Sequence, residues 1–210
     1  MKYCLIVSNN QRSFEYLKLL TDKKKFPNYC IHLDIKNKNK FRTKVLNIIN
    51  KNKLSCKTFI SDNIDQTRII KFILNLKEKI FVYSGYNGKI IKNKFILNKK
   101  ILLHSHTGKL PEYKGSTTIY YSLINYNKIY CTTFIMSNKI DKGKILLIKK
   151  YDLIKNIKNI DEYDNQIRAK NMLLTLNKFY QLIKNKKKYF DKSSNYYVIH
   201  PILRYIALKK

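Results

Sequence analysis

Short apolar runs rich in β-branched and aromatic residues alternate with longer amphipathic stretches through the first half of the chain. This alternation is typical of parallel strands that are joined by crossover helices. The pattern predicts strands at 3–7, 29–33, 56–60, 80–84 and 101–105. It predicts helices near 12–25, 41–53 and 66–77. The first half therefore indicates a Rossmann-like α/β fold, with a mostly parallel sheet and helices on both faces.

The pattern changes after residue 105. A polar loop leads to a predicted helix near 116–126, and two further apolar runs at 128–136 and 144–151 are joined by a short loop that contains a glycine. Two runs connected in this way predict an antiparallel hairpin. Apolar residues then recur at helical spacing and predict one long helix near 161–186. The remaining residues predict a surface cover of unspecified conformation.

The composition favours a soluble protein with a full core. The chain has 210 residues, of which 44% are hydrophobic. A membrane-spanning helix needs about 18 or more consecutive apolar residues, and the sequence contains no such run. The opening "MKYCLIVSNNQ" predicts a first strand, because its apolar part is too short for a signal peptide. We therefore expect a cytoplasmic protein without a membrane span.

The cysteines predict reduced core residues. Cys4, Cys30, Cys56 and Cys131 are scattered without a C-x-x-C spacing, and each lies in or beside an apolar run. A small buried thiol fits such positions. Neither a disulfide framework nor a cysteine zinc site is expected.

The formal net charge is +31, and a basic surface can bind nucleic acid. However, lysine, asparagine and isoleucine are enriched together along the whole chain, as in "IKNKNK" and "IKNIKNI". This distribution indicates a bias towards a few residue types rather than a localised patch. We do not expect nucleic acid as the main partner, and the same field attracts small anionic substrates.

Two of the four histidines stand two residues apart in the stretch "ILLHSHTGKLPEYKG". On a strand, residues i and i+2 point to the same side, so we expect His104 and His106 on one face at the carboxyl end of the strand. Ligands bind at that edge in open α/β sheets. Gly108 then turns the chain towards "GSTT", which offers hydroxyl and backbone N–H groups to an anion. The pattern predicts a functional site here.

Two motifs resemble the 10-formyltetrahydrofolate-dependent formyltransferases. The stretch "LLHSHTGKLPEYKG" is similar to the family's Asn-x-His motif, which continues with Leu-Pro, an aromatic residue and glycine. The stretch "CTTFIMSNKIDKGKIL" resembles its second motif, a strand with threonine followed by Asp-x-Gly-x-Ile. The resemblance covers roughly residues 1–150. It implies a catalytic domain at 1–155, with a helical extension at 156–210 packed on it.

The resemblance implies a catalytic role for three residues. Asp141 falls on the family's aspartate, His106 on its histidine, and His104 replaces its asparagine, which donates a hydrogen bond to the oxyanion. An imidazole can also donate. His106 suits proton transfer because its unperturbed pKa is about 6.5, and Asp141 would orient His106 or a water between them and stabilise the imidazolium. From its local sequence alone, Asp141 in "IDKG" can equally be a turn residue.

The resemblance also implies two sets of binding residues. The stretch "YSGYNGKII" resembles the segment that lines the folate pocket. For the 10-formyltetrahydrofolate cofactor the implied residues are Gly85, Tyr86, Asn87, Gly88, Lys89, Ile90, Ser137, Asn138, Lys139 and Ile140. For the amine substrate they are Arg12, Ser13, Gly108, Lys109, Tyr113, Gly115 and Ser116. Ser13 can instead be a helix N-cap.

The amine acceptor follows by elimination within the family. Glycinamide ribonucleotide relatives hold phosphate on a glycine-rich turn, whereas the equivalent "SNNQRS" has no glycine. The tRNA-directed relatives carry an additional β-barrel domain, for which the mostly helical end of this chain leaves no room. We therefore expect a small-molecule amine, namely a nucleotide-linked amino sugar, and a homodimeric assembly.

Two other functions remain open. His104 and His106, with Asp141 or Glu112, form a ligand set that suits a metal-dependent hydrolase. The formyltransferase interpretation needs no metal. Alternatively, the change at His104 marks a degenerate formyltransferase fold that serves as a binding module.

Overall fold

The computed structural model describes residues 1–36, 39–86, 91–152, 159–185 and 194–209. The chain forms two compact units. Unit 1 comprises Met1–His104 and Met136–Asn138, and unit 2 comprises Ser105–Ile135 and Lys139–Lys210. The expected domain division after residue 155 stays a prediction.

Unit 1 carries the parallel strands. They are β1 (Cys4–Ser8), β2 (Tyr29–Asp34), β3 (Cys56–Ile60), β4 (Ile80–Tyr83) and β5 (Ile101–His106), of which the last two residues belong to unit 2. The helices are α1 (Gln11–Asp22), α2 (Lys40–Lys51), α3 (Thr67–Asn75) and α4 (Lys94–Lys99). Parallel pairings give the order β3-β2-β1-β4-β5. The predicted strands are confirmed, and only α4 was not predicted.

Burial explains why the inner strands are apolar runs without alternation. Every residue of β1 and β4 is buried, which is typical of inner strands of a parallel sheet that are covered on both faces. Ile6, Leu33 and Phe81 belong to one apolar cluster with side chains from α3 and α4. This cluster forms part of the core of unit 1.

Helix α1 is capped by Asn10, whose side chain accepts a hydrogen bond from the Ser13 amide at 2.8 Å. The alternative that Ser13 is the N-cap is therefore wrong. The Ser13 hydroxyl instead accepts from the Ser8 amide at 2.8 Å and donates to the Ser84 carbonyl at 2.7 Å. It thus joins the ends of β1 and β4.

Unit 2 carries the remaining elements. They are β6 (Tyr113–Gly115), α5 (Thr118–Tyr126), β7 (Ile129–Ile135), β8 (Ile145–Tyr151), α6 (Ile160–Asn177), α7 (Phe179–Lys184), β9 (Ser194–Tyr196) and α8 (Pro201–Lys209). Strands β7 and β8 pair antiparallel, so the predicted hairpin is confirmed. They extend the strand order to β3-β2-β1-β4-β5-β7-β8. A separate two-stranded sheet pairs β6 with β9 in parallel.

The single helix predicted near 161–186 is wrong. Two helices, α6 and α7, are separated at Lys178, whose φ of −112° and ψ of 15° lie outside helical values. The Lys178 amide donates to the carbonyl oxygens of Leu174 and Thr175, so α7 begins directly where α6 ends. Residue 186, the predicted end, lies outside the described residues. Within the part of the chain that the structure describes, no helix is both long and apolar enough to cross a membrane.

Candidate functional site

His106 ends β5 and is buried in unit 2, with 4% of its surface exposed. Its Nε2 lies 2.9 Å from the Tyr113 carbonyl oxygen and 3.1 Å from Thr118 Oγ1. The Thr118 hydroxyl donates to the Thr107 carbonyl, so its oxygen can accept from the imidazole. Both neighbours of Nε2 are thus acceptors. The neutral ring therefore carries its proton on Nε2.

The other ring nitrogen faces a carboxylate. Nδ1 of His106 lies 3.6 Å from Asp141 Oδ2, which is beyond hydrogen-bond distance. Burial lowers the pKa of His106 below its ordinary value, and the Asp141 charge opposes this shift. Nδ1 is thus the basic nitrogen of a neutral imidazole, and Asp141 stabilises the ring once Nδ1 is protonated. The Tyr113 carbonyl, on the opposite side, orients the ring.

Asp141 is held by the backbone of β6. Its Oδ2 accepts a hydrogen bond from the Gly115 amide at 2.8 Å. Its own backbone is in the left-handed region, with φ of 46°, which aspartate tolerates better than most residues. The Tyr113 carbonyl therefore holds His106, and the Gly115 amide holds Asp141. Strand β6 positions both side chains through main-chain groups.

Gly108 leaves room for the imidazole. A Cβ at this position would lie 2.6 Å from His106 Nε2 and 2.9 Å from the Tyr113 carbonyl oxygen. Both distances are too short for non-bonded atoms. The glycine that the sequence assigned to substrate binding thus lies directly against His106.

Arg168 on α6 is a neighbour that sequence reasoning missed. Its guanidinium donates to the Ser105 carbonyl at 2.9 Å and to Thr107 Oγ1 at 2.7 Å, on either side of His106 in sequence. It also pairs with Asp164 at 2.8 Å. Besides burial, the positive charge of Arg168 lowers the pKa of His106, and the negative charge of Asp164 opposes this shift. An Asp-x-x-x-Arg pair on the predicted long helix was the available signal.

His104 lies in unit 1 and has a different environment. Its Nδ1 is 3.0 Å from the Tyr83 carbonyl oxygen, and its ring lies 6.1 Å from the Tyr83 ring. Since a carbonyl only accepts, Nδ1 carries the proton in the neutral ring. Nε2 of His104 can then donate only if the ring is an imidazolium. The expected arrangement of the two histidines on one face stays a prediction.

Part of the predicted cofactor segment can be located in unit 1. The Gly85 carbonyl accepts from Asn10 at 3.1 Å and from the Arg12 guanidinium. Tyr86 and Met136 both pack on the apolar cluster of unit 1, and Met136 directly precedes Ser137 and Asn138. Asn87, Gly88, Lys89 and Ile90 lie outside the described residues. In unit 2, Lys139 and Ile140 are exposed.

The other predicted substrate residues differ in exposure. Arg12 and Ser13 are buried, and the Ser116 side chain is exposed. Lys109 Nζ lies 2.7 Å from Glu112 Oε1 and over the rings of Tyr126 and Tyr130.

The geometry expected for the alternative metal site is not observed among the described residues. Among the described residues, no three His, Cys, Asp or Glu side chains are placed to share a metal ion. Glu112 is instead bound by Lys109 and by the Tyr126 hydroxyl at 2.8 Å.

Comparison of sequences gives relatives of one kind. No protein-family model matches the chain. It is 30% identical over 138 residues to a methionyl-tRNA formyltransferase of Campylobacter lari, which covers 65% of this chain and 45% of the relative. The chain spans less than half of the length of the curated relatives that it matches.

Comparison of structures finds the same fold. A sugar N-formyltransferase from Shewanella superposes with a TM-score of 0.64 and 19% identity, over 99% of this chain and 87% of the other. A phosphoribosylglycinamide formyltransferase from Bacillus halodurans gives a TM-score of 0.62 and 12% identity, over 89% and 97%. The resemblance to formyltransferases and the Rossmann-like fold predicted from sequence are thereby confirmed.

Proposed function

We propose that this chain, which resembles formyltransferases in sequence and in fold, is an N-formyltransferase that uses 10-formyltetrahydrofolate. The proposed acceptor is the amine of a nucleotide-linked amino sugar. The observation that carries the proposal is the buried His106 in unit 2, whose basic Nδ1 faces Asp141 at 3.6 Å. A neutral histidine beside a carboxylate is suited to accept a proton and to stabilise the resulting cation.

The reaction requires a proton route that these residues can supply. When bound, 10-formyltetrahydrofolate supplies the formyl group. The acceptor amine forms the new C–N bond as the bond to the folate nitrogen breaks, and one proton passes from the amine to that nitrogen. His106 accepts the proton on Nδ1, Asp141 stabilises the imidazolium, and His106 then returns the proton. His104 is the proposed donor to the formyl oxygen.

Two described residues of unit 1 support the proposed folate site. A flat heteroaromatic ring needs an apolar or aromatic surface with polar groups at its edge. Tyr86 and Met136 lie on the apolar cluster of unit 1, and each is joined to a predicted folate segment. We propose that the backbone of 85–90 and of 137–138 contacts the ring.

One observation supports an amino sugar over glycinamide ribonucleotide. The loop after β1 is filled by its own side chains, because Asn9 bonds to Asp34 at 2.8 Å and Asn10 caps α1. Such a loop leaves fewer amides for a phosphate than a glycine-rich turn does. We propose Lys109, Gly115 and Ser116 as the nearest substrate contacts in unit 2.

A release assay tests the proposal. The purified chain is incubated with 10-formyltetrahydrofolate and, separately, with nucleotide-linked amino sugars, glycinamide ribonucleotide and methionyl-tRNA, and tetrahydrofolate release is followed. We expect release with an amino sugar, and its loss in His106→Ala and Asp141→Ala with the fold retained. Tetrahydrofolate release with only glycinamide ribonucleotide or only methionyl-tRNA would show that the proposed acceptor is wrong. Folate binding without release for any acceptor would indicate a binding module.

Cellular location and assembly remain separate proposals. A cytoplasmic protein is consistent with the use of a soluble folate, and fractionation of cells tests it. The homodimer is tested by analytical ultracentrifugation.

A further inference from the structure

Strand β9 (Ser194–Tyr196) forms a two-stranded sheet with β6, the strand that contacts His106 and Asp141. It pairs in parallel with β6, and Gly115 lies opposite Tyr196. The Tyr196 carbonyl accepts a hydrogen bond from the Ser116 amide at 2.8 Å, and the Ser194 amide donates to the Glu112 carbonyl at 3.3 Å. These bonds join β9 to the segment that follows the Leu-Pro motif.

The side chain of Tyr196 lies between two other rings. It stacks on Tyr113 with the ring centroids 4.7 Å apart and the planes inclined by 15°. Its other neighbour is Tyr121 of α5, at 4.6 Å between centroids. Aromatic pairs at such distances stabilise the contact beyond the burial of their surface. Tyr196 therefore fastens β6 to α5.

Strand β6 is the element on which the His106–Asp141 geometry depends. Tyr113 offers its carbonyl to His106 Nε2, and Gly115 offers its amide to Asp141. Within the described residues, β9 is the only strand that pairs with β6. A three-residue strand that loses the hydrogen bonds to its partner strand is not expected to keep its position.

Gly115 shows how closely the two strands approach. Its φ is +104°, in the region that favours glycine, and a Cβ there would collide with the Tyr196 carbonyl oxygen. The packing of β9 thus uses the same glycine that binds Asp141.

We propose that Tyr196 is a positioning residue, which holds β6 in the register that aligns His106 and Asp141. This inference rests on the proposed function, since it assigns the C-terminal segment a part in the same site. Tyr196 acts through Tyr113 and Gly115 and touches neither reacting group. Its ring, rather than its hydroxyl, supplies the stacking.

The test compares Tyr196→Ala, Tyr196→Phe and Tyr197→Ala in the full chain. Tyr197 is the matched control, because it is adjacent in sequence and its residue is 79% exposed. We expect Tyr196→Ala to lower kcat for formyl transfer on the order of 100-fold, as for a small misplacement of reacting groups, with a smaller change in KM. Tyr196→Phe and Tyr197→Ala should stay near the wild-type values.

Two readouts do not depend on catalysis. In Tyr196→Ala the Ser116 amide should exchange with deuterium faster than in the wild type. The pKa of His106, measured by NMR, should move up towards about 6.5 as water reaches the ring, against the fixed charges of Asp141, Asp164 and Arg168 that surround it. If Tyr196→Ala does not fold, Tyr196→Leu serves with the same readouts.

The outcomes separate this inference from the proposed function. Wild-type kcat, exchange and His106 titration in Tyr196→Ala would overturn the positioning role, whether or not the chain transfers formyl groups. Altered exchange and titration in a chain that transfers no formyl group would retain the positioning role and remove the proposed function.

Discussion

Asp141 faces His106 across 3.6 Å, from Oδ2 to Nδ1, on the side of the ring that carries the lone pair when the imidazole is neutral. The carboxylate therefore acts on the nitrogen that changes its protonation state. Orientation comes from the opposite side, through the bond of Nε2 to Tyr113. The expectation that Asp141 also orients the ring or a water beside it stays a prediction.

The first prediction concerns Asp141→Asn. The Asp141 charge raises the pKa of His106 against the larger lowering by burial, so its removal should lower that pKa further. The acid limb of the formyl-transfer rate should move to lower pH, and the maximal rate should fall because the imidazolium loses its counter-charge. NMR titration of His106 measures the first effect directly.

The control is Asp152→Asn, a surface carboxylate that pairs with Lys128 at 2.8 Å and whose side chain is 80% exposed. It should leave both measurements unchanged. A His106 titration that is the same in Asp141→Asn as in the wild type would contradict the proposed role of Asp141.

The second prediction concerns Gly108→Ala. A methyl group 2.6 Å from Nε2 must displace the imidazole or the β6 backbone, because both lie against it. We expect a loss of kcat on the order of 100-fold and a perturbed His106 resonance, with secondary structure by circular dichroism retained. An unperturbed His106 resonance would show that the imidazole position does not depend on a glycine at residue 108.

The third prediction concerns stability and pH. Burial lowers the pKa of both His32 and His106. Below about pH 6.5 the unfolded chain takes up protons that the folded chain does not, so the free energy of unfolding should fall as the pH falls. Each histidine adds a slope of up to about 1.4 kcal/mol per pH unit.

Urea unfolding between pH 5.5 and 7.5 measures this slope. His32→Gln should reduce it, because the amide can still donate to Asn9, which lies 2.8 Å from His32 Nε2, and does not titrate. His200→Gln is the control, since His200 is exposed. An equal slope in the wild type and in His32→Gln would show that buried His32 does not contribute.

Sequence periodicity was sufficient for the elements that are long enough to show a pattern. The strands of unit 1 are runs of four to six residues, and β7 and β8 form a local hairpin of two seven-residue strands. The local motif also located His106 and Asp141, which the structure brings together.

The residues that hold His106 and Asp141 in place could not be predicted from the sequence pattern. Strand β6 has three residues, too few for an alternating pattern, and its partner Tyr196 stands about 80 residues later in the chain. The Arg168 contacts to Ser105 and Thr107 are similarly distant in sequence. Such contacts are set by tertiary packing, on which a single sequence carries no periodic signal. The alternative of a Ser13 cap was wrong for a different reason, because Asn10 is an equally good cap three residues earlier.

The last prediction concerns His104, which occupies the position of the family's asparagine. Its Nδ1 lies 3.0 Å from the Tyr83 carbonyl oxygen and carries the proton of the neutral ring. To donate to the formyl oxygen through Nε2, the ring must therefore be protonated. His106, in contrast, must be neutral to accept a proton. The rate should thus rise with pH as His106 becomes neutral and fall as His104 loses its proton.

Replacement of His104 separates these two limbs. His104→Asn supplies a donor that does not titrate, so the alkaline limb should disappear while substantial activity remains. His104→Ala removes the donor and should cost on the order of 100- to 1000-fold in kcat. The pH–rate profiles of the wild type and both variants, measured with saturating 10-formyltetrahydrofolate, provide the comparison. If His104→Asn is as inactive as His104→Ala, then His104 does more than donate a hydrogen bond, and the proton-transfer role assigned to His106 must be shared between the two rings.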